Sequence, residues 1–242
     1  MTLNYAHRGA CGVYPENTLL AFEKAIEMGC DGIETDVQMT ADGVLVLIHD
    51  ESLKRTTGVD ALVKDYTFEK LRTLNAASFH AMKDSFLPVP SAEELIVLAK
   101  KNSIILNLEI KTGIVFYEGI EKKLIELIYK HRMEKSVIIS SFNHYAIVEC
   151  KKIAPEIKTA ALYSYGIYHP ESYCKALGAD AIHPHFVAAD KQMVEDAHRE
   201  GLIVQPYTVN REEDMKRLID IGIDGIITNY PDLLRDVLAK TK

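Results

Sequence analysis

Three acidic residues, Glu34, Asp36 and Glu109, sit in two short segments whose spacing aims them at one place. In Glu34-Thr35-Asp36 the carboxylates are two residues apart, so on a β-strand they share a face. In Leu106-Asn107-Leu108-Glu109-Ile110-Lys111 polar and apolar residues alternate, which puts Asn107, Glu109 and Lys111 on one face as well. Three carboxylates are costly to bury together unless a cation or a proton compensates. An all-oxygen donor set suits one hard divalent ion, Mg²⁺ or Ca²⁺, better than zinc. The alternative is a structural ion network in which the same carboxylates pair with Arg8 and Lys111.

His7 precedes Arg8-Gly9, and His49 precedes Asp50. Imidazoles titrate near neutral pH, so two of them beside a metal-capable cluster can act as base and acid in turn. Arg8 suits bidentate contact with a phosphate, and Lys111 adds a compact point charge. A metal, two cations and two histidines point to phosphoryl chemistry on an anionic ester. No Gly-x-Ser-x-Gly elbow is present, and Ser140-Ser141-Phe142 has no base next to it, which argues against a serine hydrolase. His183 and His185 flank Pro184, and His183 is a candidate substrate contact.

Positioning these groups requires strands that end at a common rim. Short β-branched runs at 3–7, 32–36, 104–111, 137–142, 159–163, 181–185, 203–209 and 225–228 read as strands. Amphipathic stretches at 18–28, 92–101, 118–130, 144–153, 191–199, 212–221 and 232–239 read as helices, with Ser91, Asn143, Asp190 and Asn210 as N-caps. Eight strands alternating with helices imply parallel pairing and a (β/α)₈ barrel, whose active site lies at the C-terminal ends of the strands. A doubly wound sheet would want a glycine-rich phosphate loop after the first strand, and His7-Arg8-Gly9-Ala10-Cys11-Gly12 is a poor match. Ala41-Asp42-Gly43 between extended runs predicts a hairpin after the second strand that brings His49-Asp50 back toward Glu34. Residues 51–90 are polar and irregular, with one helix-like piece near 68–74, and are expected to form an inserted cap within a single domain spanning 1–242.

The formal net charge is −7, with 48% hydrophobic and 26% charged residues. That balance fits a globular chain and argues against nucleic acid as the main partner. The first residues lack a basic segment followed by an apolar one, no apolar run is long enough to span a bilayer, and the four cysteines have no CxxC spacing. A cytoplasmic chain with buried thiols and no stable membrane association is expected.

His7-Arg8-Gly9, Pro15-Glu16-Asn17-Thr18, Glu34-Thr35-Asp36-Val37, Asp42-Gly43, His49-Asp50, Arg55-Thr56-Thr57-Gly58, Glu109-Ile110-Lys111, Ser141-Phe142, Thr208-Val209-Asn210 and Thr228-Asn229-Tyr230-Pro231-Asp232 together resemble the glycerophosphodiester phosphodiesterase family. The resemblance runs over nearly the whole chain. It implies a barrel with an insert after the His-Asp motif, and metal-dependent hydrolysis of small glycerophosphodiesters to glycerol 3-phosphate and an alcohol. By the same resemblance His7 and His49 are the acid–base pair, Glu34, Asp36 and Glu109 the metal ligands, and Arg8 and Lys111 the phosphate contacts. Three positions depart from the pattern: Tyr207 replaces a usual Trp, Asn229 a common Asp, and Val89-Pro90-Ser91 a more usual Ile-Pro-Thr. None is expected to touch the metal or acid–base residues, while Tyr207 and Phe142 are expected to shape the substrate wall. A relative acting on acyl-bearing diesters would need an apolar groove, which the insert does not offer. A binding protein without catalysis would have lost some of the acid–base and metal positions, and all five are present.

Overall fold

The computed structural model describes residues 2–241. From the N-terminus the chain runs β1 (Leu3–His7), α1 (Leu19–Glu27), β2 (Gly32–Met39), β3 (Leu45–Leu47), two short helical turns α2 (Lys54–Thr57) and α3 (Phe68–Leu71), and α4 (Ala92–Asn102). It continues through β4 (Ile105–Ile110), α5 (Ile120–His131), β5 (Val137–Ser141), α6 (His144–Ile153), β6 (Lys158–Tyr163), α7 (Pro170–Leu177), β7 (Ala181–Pro184) and α8 (Lys191–Arg199). The last units are β8 (Ile203–Val204), α9 (Glu212–Asp220), β9 (Gly225–Thr228) and α10 (Pro231–Lys240).

The strands other than β3 are parallel and run in the order β8-β7-β6-β5-β4-β2-β1-β9. Backbone bonds bridge the seam between the chain after β8 and β9: Asp224 N to Val204 O at 3.0 Å, Ile227 N to Pro206 O at 3.1 Å and Val209 N to Ile227 O at 2.9 Å. The fold is the expected (β/α)₈ barrel. Regular strand β8 ends at Val204, short of the 203–209 expected, although backbone bonds toward β7 continue through Gln205 N to Ile182 O at 3.0 Å and Tyr207 N to Pro184 O at 3.1 Å. Pro206, without an N–H, interrupts the alternation on the β9 side. The helix α7, begun by Pro170 in its first turn, fills the interval between the fifth and sixth barrel strands that the helical reading left unassigned.

Apolar faces of strands and helices meet in the shell between them, with Phe22, Ile33 and Leu106 buried in one half and Ile182, Leu218 and Ile226 in the other. Caps set where helices begin. Ser91 and Glu94 form a reciprocal capping box on α4, and Asn143 and Asp190 accept from the first turns of α6 and α8. Asn210 does not cap α9. Its Oδ1 instead accepts from Asn229 N at 2.9 Å, and α9 starts after Arg211 with Glu212, Glu213 and Asp214 facing its positive end.

The hairpin forms as expected. β2 overshoots the rim to Met39 and pairs antiparallel with β3, and Gly43 (φ +80°) supplies the left-handed turn residue. Residues 51–90 then fold onto it around a small core of Val46, Ile48, Leu53, Val63, Leu71 and Val89. Asp42 Oδ1 accepts from Phe68 N at 3.0 Å and ties the turn to α3. No described helix is long and apolar enough to cross a membrane.

Because the cap has its own core, Leu71→Ala is expected to cost about 2–5 kcal/mol locally. Hydrogen exchange should then rise in 51–90 while β1, β2 and β4 keep their protection. Equal loss of protection in the barrel strands would show that cap and barrel open together.

Candidate active site

At the end of β1 the chain turns sharply outward. Arg8 and Gly9 both have positive φ, +53° and +83°. A side chain at Gly9 would stand 2.6 Å from the carbonyl carbon of Ala21, so only glycine lets this turn lie against α1. The turn leaves His7 and Arg8 at the rim beside β2. His7 is in register with Glu34, and Asp36 with Glu109. One oxygen from each of Glu34, Asp36 and Glu109 can be chosen so that all lie within 4.8 Å of one another, and all three residues are buried.

The cations at the rim do not satisfy this cluster. Arg8 Nε lies 3.1 Å from Asp36 Oδ2 but shares its charge with Glu16, 3.1 Å from Nη1. Lys111 Nζ is 3.1 Å from Glu109 and 3.9 Å from Asp36. Glu34 Oε2 and Asp36 Oδ1 remain buried without a hydrogen-bond partner. Burial and then the neighbouring Asp36 and Glu109 charges hold the Glu34 carboxyl well above the usual range. Glu109 is pushed up to about 7 by burial and by Asp36, against the pull of Lys111. Asp36 goes the other way: burial favours its neutral form, but Arg8, His49, Lys111 and Asn17 outweigh burial and keep it ionised. Orphaned, converging carboxylate oxygens are the donor set of a hard divalent cation, so the cluster can hold a metal ion.

The two histidines flank the cluster with the same polarity. His7 Nδ1–H donates to Asn229 Oδ1 at 2.6 Å, which turns Nε2 toward Glu34 Oε2 at 3.8 Å. His49 Nδ1–H donates to Asp50 Oδ1 at 2.6 Å, which turns Nε2 toward Asp36 Oδ1 at 4.0 Å. Burial, and then the nearby Arg8 charge, lowers the His7 pKa to about 4. Asp50 is held down at about 2 despite partial burial, because Arg55 and His49 donate to it.

Asn229 therefore departs from the expectation that it touches no acid–base residue: it is the direct partner of His7. The 222 residues between the two hide the contact until the barrel closes. Other positioning residues carry no role in the sequence reading. Asn17 Nδ2 donates to Asp36 Oδ2 at 3.0 Å and leaves Oδ1 facing inward, while Asn17 Oδ1 accepts from Thr35 at 2.7 Å. Gln38 Nε2 donates to the carbonyls of Ile48 and His49, both at 3.0 Å. Arg55, from the cap, forks onto Glu16 at 2.7 and 2.8 Å and reaches Asp50 at 2.6 Å. Asn17 and Arg55 stand inside the quoted motifs, which was the available signal.

His7, His49, Glu34, Asp36, Glu109, Arg8 and Lys111 thus converge. Phe142 and Tyr207 stack edge to face with ring centres 5.8 Å apart, and Tyr207 lies close enough to Glu109 and Lys111 to feel both charges. His183 does not join them at the mouth. It is fully buried inside the barrel, donating from Nε2 to Gln205 Oε1 at 2.9 Å and facing Asn107 Nδ2 across 3.4 Å. The register of β7 turns it inward below the carboxylates, which corrects the expected substrate contact.

Residues 7–233 match the Glycerophosphoryl diester phosphodiesterase family. The chain is 43% identical over 239 residues to a glycerophosphodiester phosphodiesterase of Caldanaerobacter subterraneus subsp. tengcongensis, covering 99% of this chain and 98% of that one. It is 41% identical to a glycerophosphodiester phosphodiesterase of Bacillus altitudinis, covering 96% of each. Among solved structures, an Oleispira antarctica phosphodiesterase in complex with the product sn-glycerol-3-phosphate superposes with a TM-score of 0.89 at 30% identity, over 97% of this chain and 96% of that one. The chain is an enzyme of the glycerophosphoryl diester phosphodiesterase family.

Proposed function

We propose that this phosphodiesterase hydrolyses small glycerophosphodiesters to glycerol 3-phosphate and an alcohol, with His7 and His49 as acid–base pair beside one divalent ion, Mg²⁺ or Ca²⁺, held by Glu34, Asp36 and Glu109. The observation that carries the reading is the pair of imidazoles on either side of the carboxylates, each with Nδ1 engaged and Nε2 turned to the cluster. The product complex of the Oleispira antarctica neighbour supports glycerol 3-phosphate as the product. When bound, the ion supplies positive charge against the non-bridging phosphate oxygens. Arg8 and Lys111 orient the phosphate at the same rim, and Phe142 and Tyr207 wall its organic part.

The hydrogen-bond partners divide the labour between the histidines. Asn229 offers His7 a neutral amide oxygen, so its Nε2 lone pair is free to take the proton of the attacking hydroxyl, from water or from the glycerol 2-position. Asp50 accepts from His49 Nδ1–H and holds the ring with Nε2 toward the cluster, placed to give a proton to the leaving alcohol as its bond to phosphorus breaks. With water as nucleophile one P–O bond forms and one breaks, His7 taking the proton of the water and His49 giving one to the leaving alcohol. With the glycerol 2-hydroxyl as nucleophile the first displacement leaves a cyclic phosphate, which a second displacement by water, the two rings exchanging roles, opens to glycerol 3-phosphate.

His7→Ala and His49→Ala should each lower kcat by about 10²–10⁴ with the melting temperature little changed. Near-normal release of glycerol 3-phosphate from glycerophosphocholine by either variant would remove that histidine from the reaction. Chelation should abolish turnover, and Mg²⁺ or Ca²⁺ should restore it. Chelator-treated Glu34→Gln should melt about 2–4 °C above the chelator-treated parent, because an amide is neutral without the folding cost of holding a buried carboxyl above its usual range. The same variant should lose the rise in melting temperature that added cation gives the parent; an unchanged rise would take Glu34 off the ligand set.

A further inference from the structure

We propose that one half of the barrel mouth is a docking surface for a zwitterionic lipid–water interface, from which the site takes its phosphodiester. The identity of the reacting group rests on the phosphodiesterase reading above; the surface itself rests on separate observations. Segments 112–117, 142–148, 164–169 and 185–189 contain no Asp, Glu, Lys or Arg, in a chain in which 26% of residues are charged. These segments follow β4, β5, β6 and β7, four neighbouring strands of the barrel, so they form one continuous arc around the end that carries Glu109 and Lys111.

The arc is apolar as well as uncharged. Ile114, Phe116 and Tyr168 are 77%, 80% and 90% exposed, and Tyr145, Tyr165 and Val187 also stand largely in solvent. Single exposed apolar residues are ordinary, but a continuous uncharged arc of them marks an interaction surface. The opposite side of the mouth is built from charges, with Arg8, Glu16, Asp50 and Arg55 in one ion network.

Several features select a lipid surface as the occupant. The side chains protrude from separate loops, which suits shallow insertion into a soft interface. Tyrosine combines an apolar ring with a polar tip and is favoured at headgroup depth. The arc has no Lys or Arg, only His144, His169 and His185, to attract anionic lipid, and the net charge of −7 opposes it, so the matching surface is electrically neutral overall. A protein partner seated here would obstruct the entrance, whereas a lipid surface delivers phosphodiesters to it. With only a few inserting side chains, binding is reversible, and no described helix is long and apolar enough to cross the membrane.

The test is flotation with phosphatidylcholine vesicles, run beside turnover of water-soluble glycerophosphocholine. The unmodified chain should float, and the combined substitution Ile114→Ser, Phe116→Ser, Tyr168→Ser should weaken partition by about ten-fold or more while turnover stays within about two-fold. Tyr168→Ser alone, at a solvent-facing side chain, should give a smaller loss and guards against misfolding of the triple variant. The proposal is overturned if the parent does not float, if the variants partition as the parent does, or if partition requires anionic lipid. It is also overturned, in favour of a second copy, if the triple substitution abolishes a dimer and no vesicle binding is seen. Vesicle partition without glycerophosphocholine turnover would instead refute the phosphodiesterase reading and leave the docking surface standing.

Discussion

Three carboxylates buried within reach of a single cation are the constraint on which the rest of the mouth depends. Ionised together in a low-dielectric rim they repel, and the structure splits their behaviour: Asp36 is kept charged by Arg8, His49 and Lys111, while Glu34 and Glu109 are pushed toward the neutral form. A divalent cation removes the conflict by neutralising the cluster, so affinity for the ion and relief of strain in the fold are the same free energy. That makes the asymmetry useful. Asp36 is the carboxylate already held ionised and aimed by Asn17, and the other two gain most from a cation's arrival.

Around that cluster most polar contacts act by orientation rather than by strength. The Arg55 links to Glu16 and Asp50 are about half exposed, and pairs of that kind contribute roughly 0–1 kcal/mol each. Their effect is geometric: they fix Asp50, which fixes the tautomer and heading of His49. On the other side Asn210 holds the backbone of Asn229, and Asn229 holds His7. The cap and the last loop of the barrel thus each supply one imidazole with its bearing. An imidazole free to rotate by one ring nitrogen would lose its proton-transfer line to the substrate, whatever the stability of the fold.

What could be read from the sequence was what local periodicity determines. The two-residue spacing of Glu34 and Asp36, the alternation through Glu109 and Lys111, and the Asp-Gly turn each carry their geometry within a few residues, and all three hold in the structure. Contacts made across the barrel seam leave no such local trace. Asn229 lies far from His7 in the chain, so its substitution for Asp looked remote from the chemistry. Asn210 sat at a plausible cap position, yet its side chain satisfies a loop rather than a helix. His183 depended on which way a four-residue strand was turned, and a shift of one residue moves a side chain from mouth to interior.

The net charge of −7 looks unfavourable to an anionic substrate until the charges are located. Glu34, Asp36 and Glu109 converge at one place, where a bound metal would convert them from a repulsive group into part of an anion receptor, and Arg8 and Lys111 stand at the same rim. Glu16 and Asp50 at the mouth are paired with Arg8, Arg55 and His49, and acidic residues farther away act on a phosphate only through solvent, screened over about 8 Å at physiological ionic strength. The mouth is therefore divided by charge: one side carries Arg8, Glu16, Asp50 and Arg55 in the network that orients His49, and the other carries segments without Asp, Glu, Lys or Arg. Since charged residues are the ordinary tenants of exposed loops, four adjacent stretches of five to seven residues without any, bounded by Lys111, Glu118, Glu149 and Asp190, carry information about what approaches them. A substrate that is free in water needs, besides the charged side, only the wall proposed for Phe142 and Tyr207; the exposed remainder of the uncharged arc acquires a purpose when the phosphodiester arrives attached to, or embedded in, something apolar.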